Sequence, residues 1–371
     1  DLVLHLFGNA EEREAQCNDG TPSGYYIRRS STGSKAWLLY LEGGGLCYDF
    51  ESCKARPKQL ISSDPWAKTL PGIGIFANST SRAPSKFGDW NQVVVIYCTS
   101  DLYSGTANTS GLLGFKFHGS RVVPSLLDDL SSELVNASEV VFAGGSAGGI
   151  GVFVNYPYVK SRLAPVPVRA IPDAGWFLNT MPVYKKGTIS ITDMLEKGHK
   201  LWGGMPATEC ANKLGDNAYL CYSGPVVYPF MPSPPSDIMV LKAQTDAWTV
   251  GHDKVKMPPD AKATEWLMEL AAQVRTTFQV DQVVSVFSAN CLYHTSLMVP
   301  RLTTPPTRHD RCTGPNSPLT TPPFRTPWSR GTSTRSPFTS STHAQHPFAT
   351  PPVCESAHTI RGPSLRESVS V

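Results

Sequence analysis

The segment from Val140 to Gly148 constrains this chain more than any other. An apolar, β-branched run, Val140-Val141-Phe142-Ala143, leads into Gly144-Gly145-Ser146-Ala147-Gly148, and a longer amphipathic stretch follows. Gly-x-Ser-x-Gly in that setting reads as strand, sharp turn, helix. Glycine on either side of the serine is what the turn demands, because a side chain there would collide with the neighbouring strand or helix. The hydroxyl then projects from the carboxyl edge of a sheet, and the helix N-terminus just beyond it favours developing negative charge. A Gly-rich turn of a nucleotide-binding α/β fold is the competing reading, and no G-x-G-x-x-G or P-loop lysine supports it.

Across the first 300 residues short β-branched runs alternate with longer amphipathic segments. Strands are predicted at Trp37–Leu41, Val93–Tyr97, Val140–Ala143, Val168–Ile171, Ile238–Ala243 and Val283–Ser288. Helices are predicted at Val122–Leu134, Gly149–Leu163, Ile191–Leu201 and Ala263–Phe278. Several strands are nearly continuous apolar runs, as strands buried on both faces should be. The expected fold is α/β and α/β-hydrolase-like, a mostly parallel sheet with helices on both faces, occupying residues 1–300 as one catalytic domain.

Composition matters at the boundary of that domain. From Arg301 to Val371 there are 12 prolines, 13 threonines and 10 serines, while all 16 lysines lie before it. Repeats such as Thr303-Thr304-Pro305-Pro306 have no apolar periodicity and cannot bury a core. Two readings compete for 301–371: a Ser/Thr/Pro-rich, O-glycosylated and disordered stalk, or a gene-model artefact, towards which the all-arginine basic content leans. No function is placed there. The formal charge of +3 is too small to indicate a nucleic-acid partner. No apolar run approaches the ~18 residues of a membrane span.

A serine alcohol needs a base, and the base needs an orienting acid. In this fold the order along the chain is serine, acid, histidine, with the last two on loops after later strands. Asp246 and His294 meet that requirement, following the predicted strands Ile238–Ala243 and Val283–Ser288 at the edge where open parallel sheets bind ligands. Asp173, after Val168–Ile171, is the alternative acid. His118 and His199 precede or lie in helical segments, and His252 is too near Asp246 in sequence. The oxyanion formed on attack requires two backbone N–H donors. Ala147 supplies one, and Gly44 or Gly45, in the triplet Gly43-Gly44-Gly45 after Trp37–Leu41, supplies the second.

The nine cysteines include no C-x-x-C pair and no clustered Cys/His spacing, which argues against structural zinc. Cys47 with Cys53 and Cys210 with Cys221 would close short loops as disulfides in an oxidising compartment, the alternative being buried free thiols. Sequons begin at Asn78, Asn108 and Asn136. The chain starts at Asp1, so a signal peptide would have been removed or omitted. A secreted, extracellular or cell-wall glycoprotein, monomeric and without cofactor, is expected.

Taken together these residues resemble the pectin acetylesterase/Notum carboxylesterase family. The resemblance runs from about Cys17 to His294 and rests on ordered blocks. They include Cys17-Asn18-Asp19-Gly20, Leu41-Glu42-Gly43-Gly44-Gly45-Leu46-Cys47, Tyr97-Cys98-Thr99-Ser100-Asp101, Gly145-Ser146-Ala147-Gly148-Gly149, Asp173-Ala174-Gly175-Trp176-Phe177 and Asp246-Ala247-Trp248. It implies a catalytic Ser146, Asp246 and His294, oxyanion donors at Gly44, Gly45 and Ala147, and disulfides Cys17–Cys98, Cys47–Cys53 and Cys210–Cys221. Cys291 precedes the histidine as in the Notum branch, with Ser236 where its partner would fall. The triplet Gly43-Gly44-Gly45 is similar to the plant pectin acetylesterases, whereas the blocks at 97–101 and 173–177 are closer to Notum, which carries tryptophan in place of Gly45. The implied activity is hydrolysis of an O-acyl ester, with an acetylated polysaccharide favoured as substrate over a palmitoleoylated protein. A non-catalytic binding protein on the same fold is the reading from another class.

Overall fold

The computed structural model describes residues 1–298 except 82–83, 110–113, 179–188, 233–234, 281–282 and 284. The expected tail at 301–371 lies outside them. Nine strands of the described residues form one sheet: β1 (Leu2–Leu6), β2 (Gly24–Arg28), β3 (Ala36–Leu41), β4 (Thr69–Leu70), β5 (Asn91–Val95), β6 (Glu139–Gly145), β7 (Val168–Asp173), β8 (Val240–Leu241) and β9 (Val286–Phe287). Their order is β4-β1-β2-β5-β3-β6-β7-β8-β9. From β5 to β9 every pairing is parallel; β4, β1 and β2 extend the sheet with antiparallel pairings, the last of them onto β5. This is the expected α/β-hydrolase-like, mostly parallel sheet.

Alternation along the strands divides the core. Leu39, Leu41, Val93, Val95, Val140 and Phe142 face one side, and Leu38, Tyr40, Val94, Val141 and Ala143 the other. On the first side the sheet meets the helices Gly119–Asp129, Ala147–Arg162, Ile191–Trp202 and Ala261–Val280, through residues such as Val122, Leu126, Phe153, Leu195 and Val274. On the second side the buried cover comes from Ile75 and Phe76 of the 3₁₀ turn Gly74–Phe76, with Phe87 and Leu297. The two faces are therefore covered unequally among the described residues.

Local differences from the sequence reading have physical causes. The antiparallel strands β1, β2 and β4 are not anticipated, because β1, next to the two-residue edge strand β4, is half-exposed, with Val3 and Leu6 51% and 45% exposed, and so lacks clean alternation. The strands predicted at 238–243 and 283–288 shorten to two residues each. The helix predicted at Val122–Leu134 begins earlier, at Gly119, because the distant Asp101 carboxylate accepts the Gly119 N–H at 2.8 Å. It also breaks at Leu130, before the short helix Ser131–Leu134, where the Ser131 hydroxyl donates to the Asp128 carbonyl at 2.8 Å.

Disulfides join Cys17 to Cys98, Cys47 to Cys53 and Cys210 to Cys221. Asn78, Asn108 and Asn136 are all exposed. No helix among the described residues is long and apolar enough to cross a membrane. The parallel half of the sheet aligns the carboxyl ends of β3, β6, β7, β8 and β9 along one edge, and every candidate functional side chain lies just beyond that edge.

Candidate active site

Ser146 joins β6 to the helix Ala147–Arg162 at φ +57° and ψ −120°. Left-handed backbone at a non-glycine residue stores about 1–3 kcal/mol and persists only where the surroundings impose it. Here they do. A Cβ at Gly144 would strike the Gly148 carbonyl, and one at Gly148 would strike the Leu41 carbonyl. The Ser146 N–H donates to the Asp173 carbonyl at 2.8 Å, which ties the turn to β7.

His294 Nε2 lies 2.7 Å from Ser146 Oγ. Its Nδ1 lies 3.0 and 2.9 Å from the two carboxylate oxygens of Asp246. An ionised carboxylate can only accept, so Nδ1 carries the proton and Nε2 is left to accept the serine hydroxyl. Asp246 is 1% exposed and caps the helix Ala247–His252, its Oδ1 accepting the Thr249 N–H at 3.0 Å. Lys242, itself buried, donates to Asp246 Oδ2 at 2.9 Å and stands 4.6 Å over the Phe177 ring. Burial by itself would raise the Asp246 pKa. The Lys242 ammonium and the hydrogen-bonded imidazole outweigh it and hold the carboxyl at about 2.

Asp173, the alternative acid, does not contact the imidazole. Its carboxylate, fully buried at the end of β7, accepts the Ser296 N–H at 2.7 Å, the Ser296 hydroxyl at 3.0 Å and the Leu297 N–H at 2.8 Å. It anchors the chain immediately after His294. Burial pushes its pKa up to about 6 against these hydrogen bonds. The other histidines point elsewhere: His118 to Asn108 at 3.0 Å, His199 to the Tyr222 hydroxyl at 3.4 Å, and His252 to the Ile189 carbonyl at 3.0 Å.

Beside Ser146 the chain leaves β3 through Gly44 and Gly45, at φ +156° and +72°. The N–H groups of Gly44, Gly45 and Ala147 have no intramolecular partner among the described residues. Gly44, Gly45, Ser146 and His294 line a cleft of about 570 Å³. A much smaller apolar pocket of about 20 Å³ adjoins Ser146 and Ala147, walled by Leu102, Ile150, Phe177, Ile191, Leu195 and Trp248. Glu42 lies in the cleft wall, where burial raises its carboxyl to about 7 against a 3.4 Å bond from the Tyr97 N–H. The described residues contain no cluster of His, Cys, Asp or Glu able to hold a metal ion.

Sequence reasoning passed over Lys242, Thr249 and the anchoring part played by Asp173. Two signals were available. Lys242 and Asp246 are four residues apart, and Asp246-x-x-Thr249 has the spacing of a helix N-cap. The role of Asp173 has no local signal, since its partners lie 123 and 124 residues away.

A nine-stranded, mostly parallel sheet carrying serine, imidazole and carboxylate at its carboxyl edge defines the α/β-hydrolase class. The pectinacetylesterase family matches residues 1–297, and the chain belongs to that family. Its curated relatives include palmitoleoyl-protein carboxylesterases of several animals. NOTUM of Schmidtea mediterranea is 33% identical over 301 residues, 75% of this chain and 55% of that protein. Notum2 of Xenopus laevis is 32% identical over 314 residues, 80% and 62%. Human NOTUM is 30% identical over 312 residues, 79% and 61%. The solved structure of the Wnt deacylase Notum from Drosophila superposes with a TM-score of 0.73 at 27% identity, covering 80% of this chain and 86% of that one. The chain spans 60% of the length of the zebrafish relative it matches.

Proposed function

We propose that the protein is a secreted serine carboxylesterase that hydrolyses an O-acyl ester, with short acyl groups such as acetyl on a polysaccharide favoured. The observation that carries the reading is the continuous chain of short contacts from Ser146 Oγ through the His294 ring to Asp246. His294 Nε2 takes the hydroxyl proton as Ser146 attacks the acyl carbonyl. Asp246 keeps the ring in the Nδ1–H tautomer and stabilises the imidazolium. The oxyanion of the tetrahedral intermediate is received by N–H groups at Ala147 and the Gly44–Gly45 turn. The imidazolium then protonates the departing alcohol. Water, deprotonated by the same imidazole, attacks the acyl-enzyme and releases the acid.

The small volume of the apolar pocket supports the short acyl group. Its 20 Å³ accommodates about one water-sized group, while the wider cleft suits a bulky alcohol portion. The second reading, a protein O-palmitoleoyl deacylase, is favoured by the names of the curated relatives. The disulfides, three of them between described residues and a further one at Cys291, support an oxidising compartment, and the exposed sequon asparagines are suited to carry glycans. The protein is read as a monomer.

The test is hydrolysis of 4-nitrophenyl acetate, octanoate and palmitoleate by wild type and Ser146→Ala. Wild type should cleave the acetate fastest, and the variant should lose about 10⁶ in kcat. Equal rates for the two proteins would discard the esterase, and a preference for palmitoleate would replace the short-acyl reading with the lipid one.

A further inference from the structure

The turn that carries Gly44 and Gly45 is braced by a guanidinium that no carboxylate among the described residues pairs with. Arg56 Nη1 donates to the Gly44 carbonyl at 2.6 Å, and Nε donates to the Ser100 hydroxyl at 3.0 Å. Arg56 Nη2 is buried without a hydrogen-bond partner among the described residues. Both bonds it does make go to neutral oxygens, and no carboxylate among the described residues pairs with it. Arg56 is half-buried and lines the cleft itself, and a cation held there with a buried nitrogen left unpaired costs stability, so its presence calls for a functional reason. Ser100 in turn is fixed: it holds φ +57°, and its carbonyl accepts the Cys47 N–H at 3.1 Å.

The Gly44 carbonyl and the Gly45 N–H belong to one planar trans peptide and point in opposite directions. Drawing the carbonyl onto Arg56 therefore turns the Gly45 N–H away from it, and Gly45 shares both the cleft and the apolar pocket with Ser146. A charge-assisted bond at the oxygen also polarises the peptide, which makes its N–H a stronger donor. We infer that Arg56 is a positioning residue for ester hydrolysis: it aims and polarises the Gly45 N–H, so that its unbalanced charge is matched when the oxyanion forms. The inference rests on the esterase reading above and assigns a role outside the serine, imidazole and carboxylate.

The experiment uses the full chain, with wild type, Arg56→Met and Arg56→Lys titrated for active sites with a fluorophosphonate. Their kcat and KM on 4-nitrophenyl acetate are compared with the affinity of an acetyl-like trifluoromethyl ketone, whose serine adduct carries an oxyanion. Arg56→Met should lower kcat per active site about 10–100-fold, leave KM within about twofold, and weaken the ketone by the same factor as kcat. Arg56→Lys keeps the charge without the planar fork and should recover part of both losses. An unchanged kcat in Arg56→Met, or a reduced kcat with unchanged ketone affinity, overturns the inference. Should Arg56→Met fail to fold, Arg56→Lys decides by the same criterion: parallel losses in kcat and ketone affinity support it, and a loss confined to thermal stability overturns it. Ser146→Ala separates the two readings, since activity equal to wild type would remove the esterase itself, whereas an inactive Ser146→Ala beside a fully active Arg56→Met removes only the role of Arg56.

Discussion

The wall of the cleft that carries Ser146 and the glycine turn contrasts with the wall that carries His294 and Asp246. The first is built from neighbouring, fully paired strands: β3 runs beside β6 in register from Ala36 opposite Glu139 to Leu41 opposite Gly144. The Cys47–Cys53 disulfide closes its turn over a separation of six residues, and the Tyr103 hydroxyl donates to the Glu42 carbonyl at 2.8 Å. The second wall stands on β8 and β9, two residues each. Its side chains meet across 48 residues between Asp246 and His294 and 123 between Asp173 and Ser296. Steric exclusion fixes the nucleophile, while a few buried polar bonds fix its base. Removing one polar group should therefore disturb the second wall out of proportion to its size.

Within the second wall the largest expected effect follows from Asp246→Asn, which removes the acceptor that sets the imidazole tautomer. Turnover of 4-nitrophenyl acetate should fall about 10⁴-fold with little change in the cooperativity of unfolding. A loss below about tenfold would mean that the second wall does not serve the serine.

Asp173 sharpens the comparison, because it touches both walls: its carbonyl takes the Ser146 N–H and its carboxylate takes the His294 loop. Asp173→Ala should lower kcat about 10²-fold through displacement of the imidazole. Asp173→Asn can still accept the two N–H groups through its oxygen while its amide donates to the Ser296 hydroxyl, so most of the activity should remain. If both variants lose the same activity, the charge of Asp173 rather than its anchoring bonds is what His294 requires. Steady-state kinetics on the two proteins distinguish these outcomes.

The smallest effect lies in the first wall and concerns stability. The Glu42 pKa is raised by burial to about 7, above the unfolded value, so the folded protein binds that proton more tightly. Its contribution to stability is fully present below the unfolded pKa and is lost as pH rises through about 7. Glu42→Gln removes the dependence. The thermal midpoint of the variant relative to wild type should therefore rise between about pH 5 and about pH 8. Asp101 and Asp173, both raised to about 6 by burial, remain in both proteins and cancel in the difference. A midpoint difference that stays flat with pH would show Glu42 to be well solvated.

Much of the first wall was legible because its causes are local. Gly144, Ser146 and Gly148 announce a strained strand-to-helix turn through their spacing, and Gly43-Gly44-Gly45 announces a backbone that must approach something closely. Asp246 and His294 were legible as candidates from their place after strands. The block Asp246-Ala247-Trp248 favoured Asp246 as the acid, while Asp173, also an aspartate after an apolar run, remained the alternative. The antiparallel edge was not legible, since β1 is too exposed to alternate and β4 has only two residues.

The sequence alone determined the parallel core, the nucleophile turn and the residue types available for the chemistry, because apolar periodicity and glycine sterics act within a few residues. Only the tertiary structure decided which aspartate faces the imidazole, which one anchors its loop, and where Lys242 and Arg56 place their charges. Those choices depend on burial and on hydrogen bonds between segments far apart in the chain, and such contacts leave no periodic trace in the order of residues.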